Sequence, residues 1–243
     1  MGLFGLFGSG KITEKDIAKQ VARIKERYAQ TDYRKMAMEK LLDWNTPESM
    51  EAVLGRFSIV AQSPHWDEDE KHWLIDELVK RPDTAKPALQ KFVKTGNEVT
   101  HAILALSKLC VDRAEFSQIL IDALKARSPE DHRSGQSKME LIASFMEHDI
   151  PNLPDVLLPY LDDHNDDVQC IALDLVASKK LESLYGKIAQ ILSDVNRSAR
   201  VLRHSANYVF TLRIPVDMER PLAPEVAEDY GISDGKLKPL HRG

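Results

Sequence analysis

Residues 155–180 read DVLLPYLDDHNDDVQCIALDLVASKK, and this stretch predicts two short helices joined by a polar turn. Apolar residues recur every three or four positions in each half, which is the spacing of one helix face. The first stripe is Val156, Leu157, Tyr160 and Leu161, and the second is Val168, Ile171, Ala172, Leu175 and Val176. Between them, residues 162–165 are turn formers. Asp166 and Asp167 open the second helix, where carboxylates suit the unpaired N–H groups and the positive end of the helix dipole.

This stretch resembles a HEAT repeat. The residues that carry the resemblance are Leu157, Leu158, Leu161, Asp162, Asp167, Val168, Ala172, Leu173 and Leu175. The resemblance implies an α-solenoid, in which antiparallel helix pairs stack and present one concave and one convex face.

Similar pairs recur along most of the chain. The second helix of each pair is predicted to begin near residues 32, 66, 98, 134, 166 and 197. This period of about 31–36 residues is shorter than the usual HEAT period and is similar to that of the phycobilisome-lyase type of repeat. In the first helix, from Thr13, we expect Ile17, Val21, Ile24 and Tyr28 to share one apolar stripe.

We therefore predict an all-α fold, an α-solenoid of about six antiparallel helix pairs spanning residues 13–212. Residues 1–12 are predicted to be a flexible N-terminal segment. Residues 213–243 are rich in proline and glycine, and only Pro224–Tyr230 is predicted to be helical there. We predict no strands. This irregular last segment is expected to cap the final repeat, because terminal repeats need a cover, or else to dock on another molecule.

Composition argues for an ordinary cytoplasmic protein. The 243 residues carry a formal net charge of −5, which disfavours a general nucleic-acid binder. Cys110 and Cys170 both fall on apolar helix faces and are predicted to be buried free thiols. Neither has a Cys-x-x-Cys partner, so no metal or redox site is indicated, and a reducing compartment fits.

The first residues, MGLFGLFGSGKIT, are too short and too glycine-rich for a signal peptide and lack a basic leader. No stretch approaches the roughly 20 apolar residues of a membrane span, so we expect no transmembrane segment. A peripheral contact with a membrane surface or a partner groove remains an alternative, through Leu3, Phe4, Leu6 and Phe7.

No catalytic signature is found, so we expect a protein that is not an enzyme and uses no cofactor. Acidic pairs such as Asp67-Glu68 and Asp162-Asp163 fall at helix starts and turns, where capping explains them. His65 and His72 are two helical turns apart, but they lack the third ligand that a metal site needs. The histidines, serines and cysteines form none of the known nucleophile motifs.

Two groups of residues are candidate binding sites. Trp66 and Trp73, with Trp44 nearby in sequence, are either interface anchors or core residues. Arg197, Arg200 and Arg203 step by three along one helix, with His204 beside the last. The HEAT resemblance places the outward side of that helix on the concave face, where three guanidinium groups would suit an acidic partner. Alternatively, the row is a solvated face that acids of the preceding repeat neutralise.

The leading functional hypothesis is a non-enzymatic scaffold that presents a concave helical surface to a protein or peptide with acidic character. One alternative is nucleic-acid binding, as in DNA glycosylases built from HEAT-like repeats, although the acidic balance makes nucleic acid the weaker partner. The other alternative is a lyase or chaperone-like role on a chromophore protein, by analogy with the phycobilisome type of repeat.

Overall fold

A computed structural model describes residues 12–240 of the chain. The chain divides into two compact units, Met1–Asp112 and Arg113–Gly243. Within residues 12–240 the regular structure is helical apart from one two-stranded sheet, so the fold is mostly helical, as predicted. None of the helices in this range has the length and apolarity required to cross a membrane.

The first unit contains six α-helices in its described part. They are α1 (Glu14–Ile24), α2 (Thr31–Trp44), α3 (Pro47–Val53), α4 (Pro64–Val79), α5 (Pro82–Thr95) and α6 (Thr100–Leu109), and a 3₁₀ helix (Leu54–Ser58) extends α3. Helix α1 contacts α3, and α3 contacts α5, while α2 contacts α4 and α4 contacts α6. The pairs α1–α2 and α5–α6 also pack against each other.

Local chemistry sets where these helices begin. Thr13 and Asp16 form a capping box at α1, and Thr46 and Ser49 form one at α3. Proline occupies the first position of α3, α4 and α5, where its missing N–H costs nothing.

Helix α1 is shorter than predicted. It ends at Ile24, so Tyr28 lies in the connection to α2 and is exposed instead of continuing the apolar stripe. The sequence spacing continued the apolar stripe for one turn beyond the residue at which α1 ends.

The second unit contains seven α-helices in its described part. They are α7 (Arg113–Lys125), α8 (Gly135–Ser144), α9 (Leu153–Leu157), α10 (Asp166–Lys179), α11 (Tyr185–Ile191), α12 (Ala199–Thr211) and α13 (Pro224–Ala227). Three 3₁₀ helices, His132–Ser134, Leu158–Asp162 and Glu182–Leu184, adjoin α8, α9 and α11. Helix α10 packs between α8 and α12.

The stretch 155–180 forms the predicted helix, turn and helix. The cap of α10 is Asn165, whose Oδ1 accepts hydrogen bonds from the N–H groups of Asp167 at 2.8 Å and Val168 at 3.4 Å. Asp166 and Asp167 follow it in the first turn, where they face the positive end of the dipole. The second stripe is largely buried, since Val168, Ala172, Leu175 and Val176 are all inaccessible.

The prediction of no strands was wrong for the end of the chain. Strand β1 (Tyr230–Ser233) pairs antiparallel with β2 (Lys236–Pro239). The hairpin turns at Asp234 and Gly235, with φ of 55° and 67°, and Asp-Gly with two positive φ values is a favoured two-residue turn. The Asp-Gly dipeptide is the sequence signal from which the hairpin could have been predicted.

The C-terminal segment packs on the last long helix. Both α13 and β2 contact α12, and Ile214, Val226 and Leu237 are buried. The Ala223 N–H donates to the Leu192 carbonyl at 2.7 Å, and the Val216 N–H donates to the Gly235 carbonyl at 2.9 Å. Residues 1–11, which make up nearly all of the predicted N-terminal segment, lie outside the described residues.

Candidate functional site

An open depression of about 450 Å³ in the first unit lies at the start of α2 and of α4. We call it the Tyr28–Trp66 depression. Its lining residues are Arg27, Tyr28, Ala29, Gln30, Thr31, Asp32, Arg34, Gln62, Ser63 and Trp66. They come from two connections, the one before α2 and the one before α4, together with the first residues of each helix.

Two aromatic side chains in this lining are exposed. Tyr28 is 78% exposed and Trp66 is 57% exposed. A large ring left in water at a concave surface is a common mark of an interaction site, and Trp and Tyr are favoured anchors of protein interfaces. Trp66 is one of the two tryptophans that the sequence singled out, and the structure places it on the surface.

The backbone beside Tyr28 is held by hydrogen bonds. The Arg27 guanidinium donates from Nε to the Val60 carbonyl at 2.8 Å. Arg34 donates to the carbonyls of Glu26 and Ala29, at 3.2 and 2.6 Å. These bonds fix the connection on both sides of Tyr28, so its ring is presented by an ordered segment.

The depression favours a negative group. Helices α2 and α4 begin there, and neither has a hydrogen bond from a capping side chain at its N-cap residue, Gln30 or Ser63. Unpaired N–H groups and the positive dipole end at a helix start attract anions. Arg27 adds a cation, and Asp32 offsets part of the resulting positive potential.

Five charged side chains form a buried network that joins α2, the 3₁₀ helix and α4 below this surface. Arg34 pairs with Glu70 at 2.5 Å, and Arg56 bridges Glu70 at 2.9 Å and Asp67 at 2.6 Å. Lys71 completes it, 2.7 Å from Asp67. Because Arg34 also holds the Ala29 carbonyl, the network positions the connection that carries Tyr28.

Both carboxylates of the network stay ionised. Burial penalises the charged form of each, but hydrogen bonds from Arg34 and Arg56 hold the pKa of Glu70 below its ordinary value. For Asp67, donors from Lys71, the Ala61 N–H and Arg56 likewise outweigh burial and lower the pKa. Ionised carboxylates therefore face arginine and lysine side chains in the interior of the unit.

This network was not predicted from the sequence, and the prediction that Asp67 caps a helix start was wrong. Asp67 instead accepts the Ala61 N–H at 2.8 Å and pairs with Arg56. The sequence did contain a signal for the burial of this network. The buried stripe of Leu74, Ile75 and Leu78 continues toward the start of α4 through charged residues at helical spacing.

Trp73 does not share the surroundings of Trp66. It is half-buried, and the Lys35 ammonium lies 4.9 Å from the centre of its ring, within the range of a cation–π contact. Trp44 is also half-buried, with Lys40 5.6 Å from its ring centre. Neither ring lines the Tyr28–Trp66 depression.

The predicted arginine row lies on α12 and at its start, in the second unit. The Arg197 side chain is only 12% exposed and donates to the Leu161 carbonyl at 2.7 Å and to Gln169 Oε1 at 2.5 Å. It also pairs with Asp162 and with Asp194. Its donors are therefore used within the unit.

The rest of the row also faces acids. Arg200 pairs with Asp167, while Arg203 is 60% exposed and lies 3.8 Å from Glu228. His204 Nε2 lies 2.6 Å from Asp174 Oδ1, which also accepts from the Tyr208 hydroxyl at 2.6 Å. The acids at 162, 167 and 174 belong to the preceding helix pair, and they offset the positive charge of α12.

The described residues contain no group of three or more His, Cys, Asp or Glu side chains arranged to hold a metal ion. His65 lies 3.4 Å from Asp69 and is highly exposed, and His72 Nδ1 lies 3.0 Å from the Glu68 carbonyl. Cys110 and Cys170 are both buried, as predicted, and burial raises the pKa of the Cys170 thiol. Comparison of the chain with protein-family models, curated proteins and solved structures gives no match.

Proposed function

We propose that this chain is a non-enzymatic scaffold that binds a protein or peptide through the Tyr28–Trp66 depression. The observation that carries the proposal is the pair of exposed rings, Tyr28 and Trp66, beside two helix starts that lack side-chain caps. Aromatic area supplies affinity, and the helix starts supply a preference for negative charge.

The free energy of binding depends on how well ordered the binding surface already is, as well as on the apolar area that binding covers. Covering an exposed aromatic ring is worth on the order of 2 kcal/mol. Part of such a gain is lost when a loop has to be ordered on binding. Here Arg27 and Arg34 already tie the connection beside Tyr28 to neighbouring carbonyls, so little of that cost remains.

The partner segment that fits best carries an Asp or Glu next to a large apolar side chain. The apolar side chain would lie between the two rings, and the carboxylate would meet the first N–H groups of α2, or those that follow Pro64 in α4, and the Arg27 guanidinium. Asp32 disfavours a partner with many negative charges, so a single acidic residue is the better match.

We further propose that the helix pairs stack within each unit as HEAT-like repeats, as in an α-solenoid. Support comes from the second helices, which begin at Thr31, Pro64, Thr100, Gly135, Asp166 and Ala199. The contacts of α4 with α2 and α6, and of α10 with α8 and α12, are those expected if successive second helices lie side by side. In the first unit α4 contacts both of its neighbours in the series α2, α4 and α6.

Selection from a random peptide display library tests the proposed function. Wild-type protein and a Tyr28→Ala, Trp66→Ala double variant are used as parallel baits, and circular dichroism confirms equal helicity. Peptides enriched on wild type alone should share an acidic residue beside Leu, Phe, Ile or Trp. If both baits enrich the same peptides, or if neither enriches any, the depression is not the binding surface.

A further inference from the structure

Helix α1 has an apolar groove on its outer side, which we call the α1 groove. It is lined by Ile17, Ala18, Val21 and Ala22 of α1, with Glu14 of α1 and Glu48 of α3 among its walls. Alanine at 18 and 22 leaves room between the larger side chains, so the surface is concave.

The burial of α1 is unusual for an amphipathic helix. It buries the polar Gln20 with Ile24, while Ile17 and Val21 stay half-exposed. An amphipathic helix normally turns its apolar stripe to a packing partner. In α1 part of that stripe faces outward, so it is suited to an additional apolar partner.

We propose that Leu3, Phe4, Leu6 and Phe7 of the same chain occupy the α1 groove. These residues belong to residues 1–11, which directly precede the structure described here. They bring four large apolar side chains within five positions, and Gly8, Ser9 and Gly10 follow them as turn formers that let the chain fold back.

The lengths match. The chain from Phe7 to Thr13 spans at most roughly 20 Å when extended. Helix α1 is about 16 Å long, so residues 3–7 reach every part of the groove after a turn at residues 8–10. A tethered segment also acts at an effective concentration near the millimolar range, which a separate molecule seldom reaches.

Charge favours this occupant over a lipid surface. Glu14 and Glu48 line the groove and would be repelled by anionic headgroups, whereas Lys11 would be attracted to them. Lys25 also lines the groove and weakens this preference without reversing it. A groove with walls from two helices also suits a chain segment better than it suits a flat bilayer.

Photocrosslinking of the full chain tests the proposal. Phe4 is replaced by p-benzoylphenylalanine, which keeps an aromatic ring at that position, and the irradiated monomer is digested with trypsin. We expect adducts within the chain on the peptides 16–19 and 20–23, which contain the groove residues. Val21→Asp should abolish them, because it places a charge in the groove. The matched control Lys19→Asp, at an exposed position outside the lining, should retain the adducts, now on the single peptide 16–23 because the tryptic site after residue 19 is removed.

Other outcomes would overturn the proposal. These are adducts confined to covalent dimers, adducts elsewhere in the chain, no adducts at all, or transfer of the adducts to lipid when phosphatidylcholine–phosphatidylglycerol vesicles are added. Ala18→Asp, at an exposed groove position, repeats the test if Val21→Asp reduces the helical circular dichroism signal.

Discussion

The Arg56 guanidinium and the Glu70 carboxylate form a buried ion pair, with Nε and Oε2 2.9 Å apart and exposures of 0% and 3%. Arg34 binds the same carboxylate from α2. One acid therefore holds two arginines from different elements, and Arg34 in turn holds the backbone next to Tyr28. A charged core of this kind links the stability of the unit to the geometry of the binding surface.

Replacing Glu70 with Gln should destabilise the protein by about 3 kcal/mol, because breaking a buried ion pair leaves charges without compensation. Glu51→Gln is the matched control, since Glu51 pairs with Lys91 at 2.6 Å but is 44% exposed. An exposed pair is worth at most about 1 kcal/mol. Urea unfolding followed by circular dichroism measures both, and equal losses would show that the buried network has no special role.

Acid should weaken the protein through Asp67 and Glu70. Both have lowered pKa values in the folded state, so the stability they contribute is present above their unfolded pKa values, near about 4. It is lost as pH falls through the lower folded values. Urea unfolding at a series of pH values should therefore show a falling free energy of unfolding below about pH 5, and Glu70→Gln should make that fall shallower. An unchanged slope in the variant would contradict the lowered pKa of Glu70.

Two arginines of the α12 row should behave differently. Arg197→Met removes donors to Leu161 and Gln169 and the pair with Asp162, so we expect a loss of about 2 kcal/mol. Arg203→Met changes a 60% exposed side chain that lies 3.8 Å from its acid, and its effect should stay within about 0.5 kcal/mol. Thermal unfolding of both variants measures the two losses of stability. An Arg197→Met variant as stable as the wild type would show that Arg197 lies on a free surface.

Two glycine substitutions should have opposite signs. Gly235 has φ of +67° in the hairpin turn, so Gly235→Ala should cost about 1 kcal/mol. Gly186 lies in α11 with open space where a Cβ would point, so Gly186→Ala should stabilise by about 0.5–1 kcal/mol. Differential scanning calorimetry should resolve the two shifts, and a stabilising Gly235→Ala would rule out the proposed turn conformation.

The helices could be predicted from the sequence because their signals are local. Pro47 at a helix start, the capping box of Thr13, and the alternation of apolar stripes with turn formers around residues 162–165 all act within one or two turns. All six second helices therefore begin within two residues of the predicted positions.

The candidate site could be predicted only in part because it depends on contacts between distant residues. Trp66 was singled out by its residue type, but its exposure depends on how α2 and α4 lie together. Arg34 and Glu70 are 36 positions apart, and a charged residue in an amphipathic helix normally indicates a solvated face. Tyr28 continued an apolar spacing, and only the end of α1 at Ile24 shows that it is exposed.

The most direct test uses isothermal titration calorimetry to measure the affinity of one selected peptide, with an acidic residue beside leucine, for three forms of the protein. These forms are wild type, Trp66→Ala and Val195→Ala. Trp66→Ala should weaken binding about tenfold or more, which is a loss of roughly 1.4 kcal/mol or above. Val195→Ala is the control, because Val195 is 68% exposed and lies in the second unit, and it should leave the dissociation constant unchanged. Equal dissociation constants for all three forms would contradict a binding surface at the Tyr28–Trp66 depression.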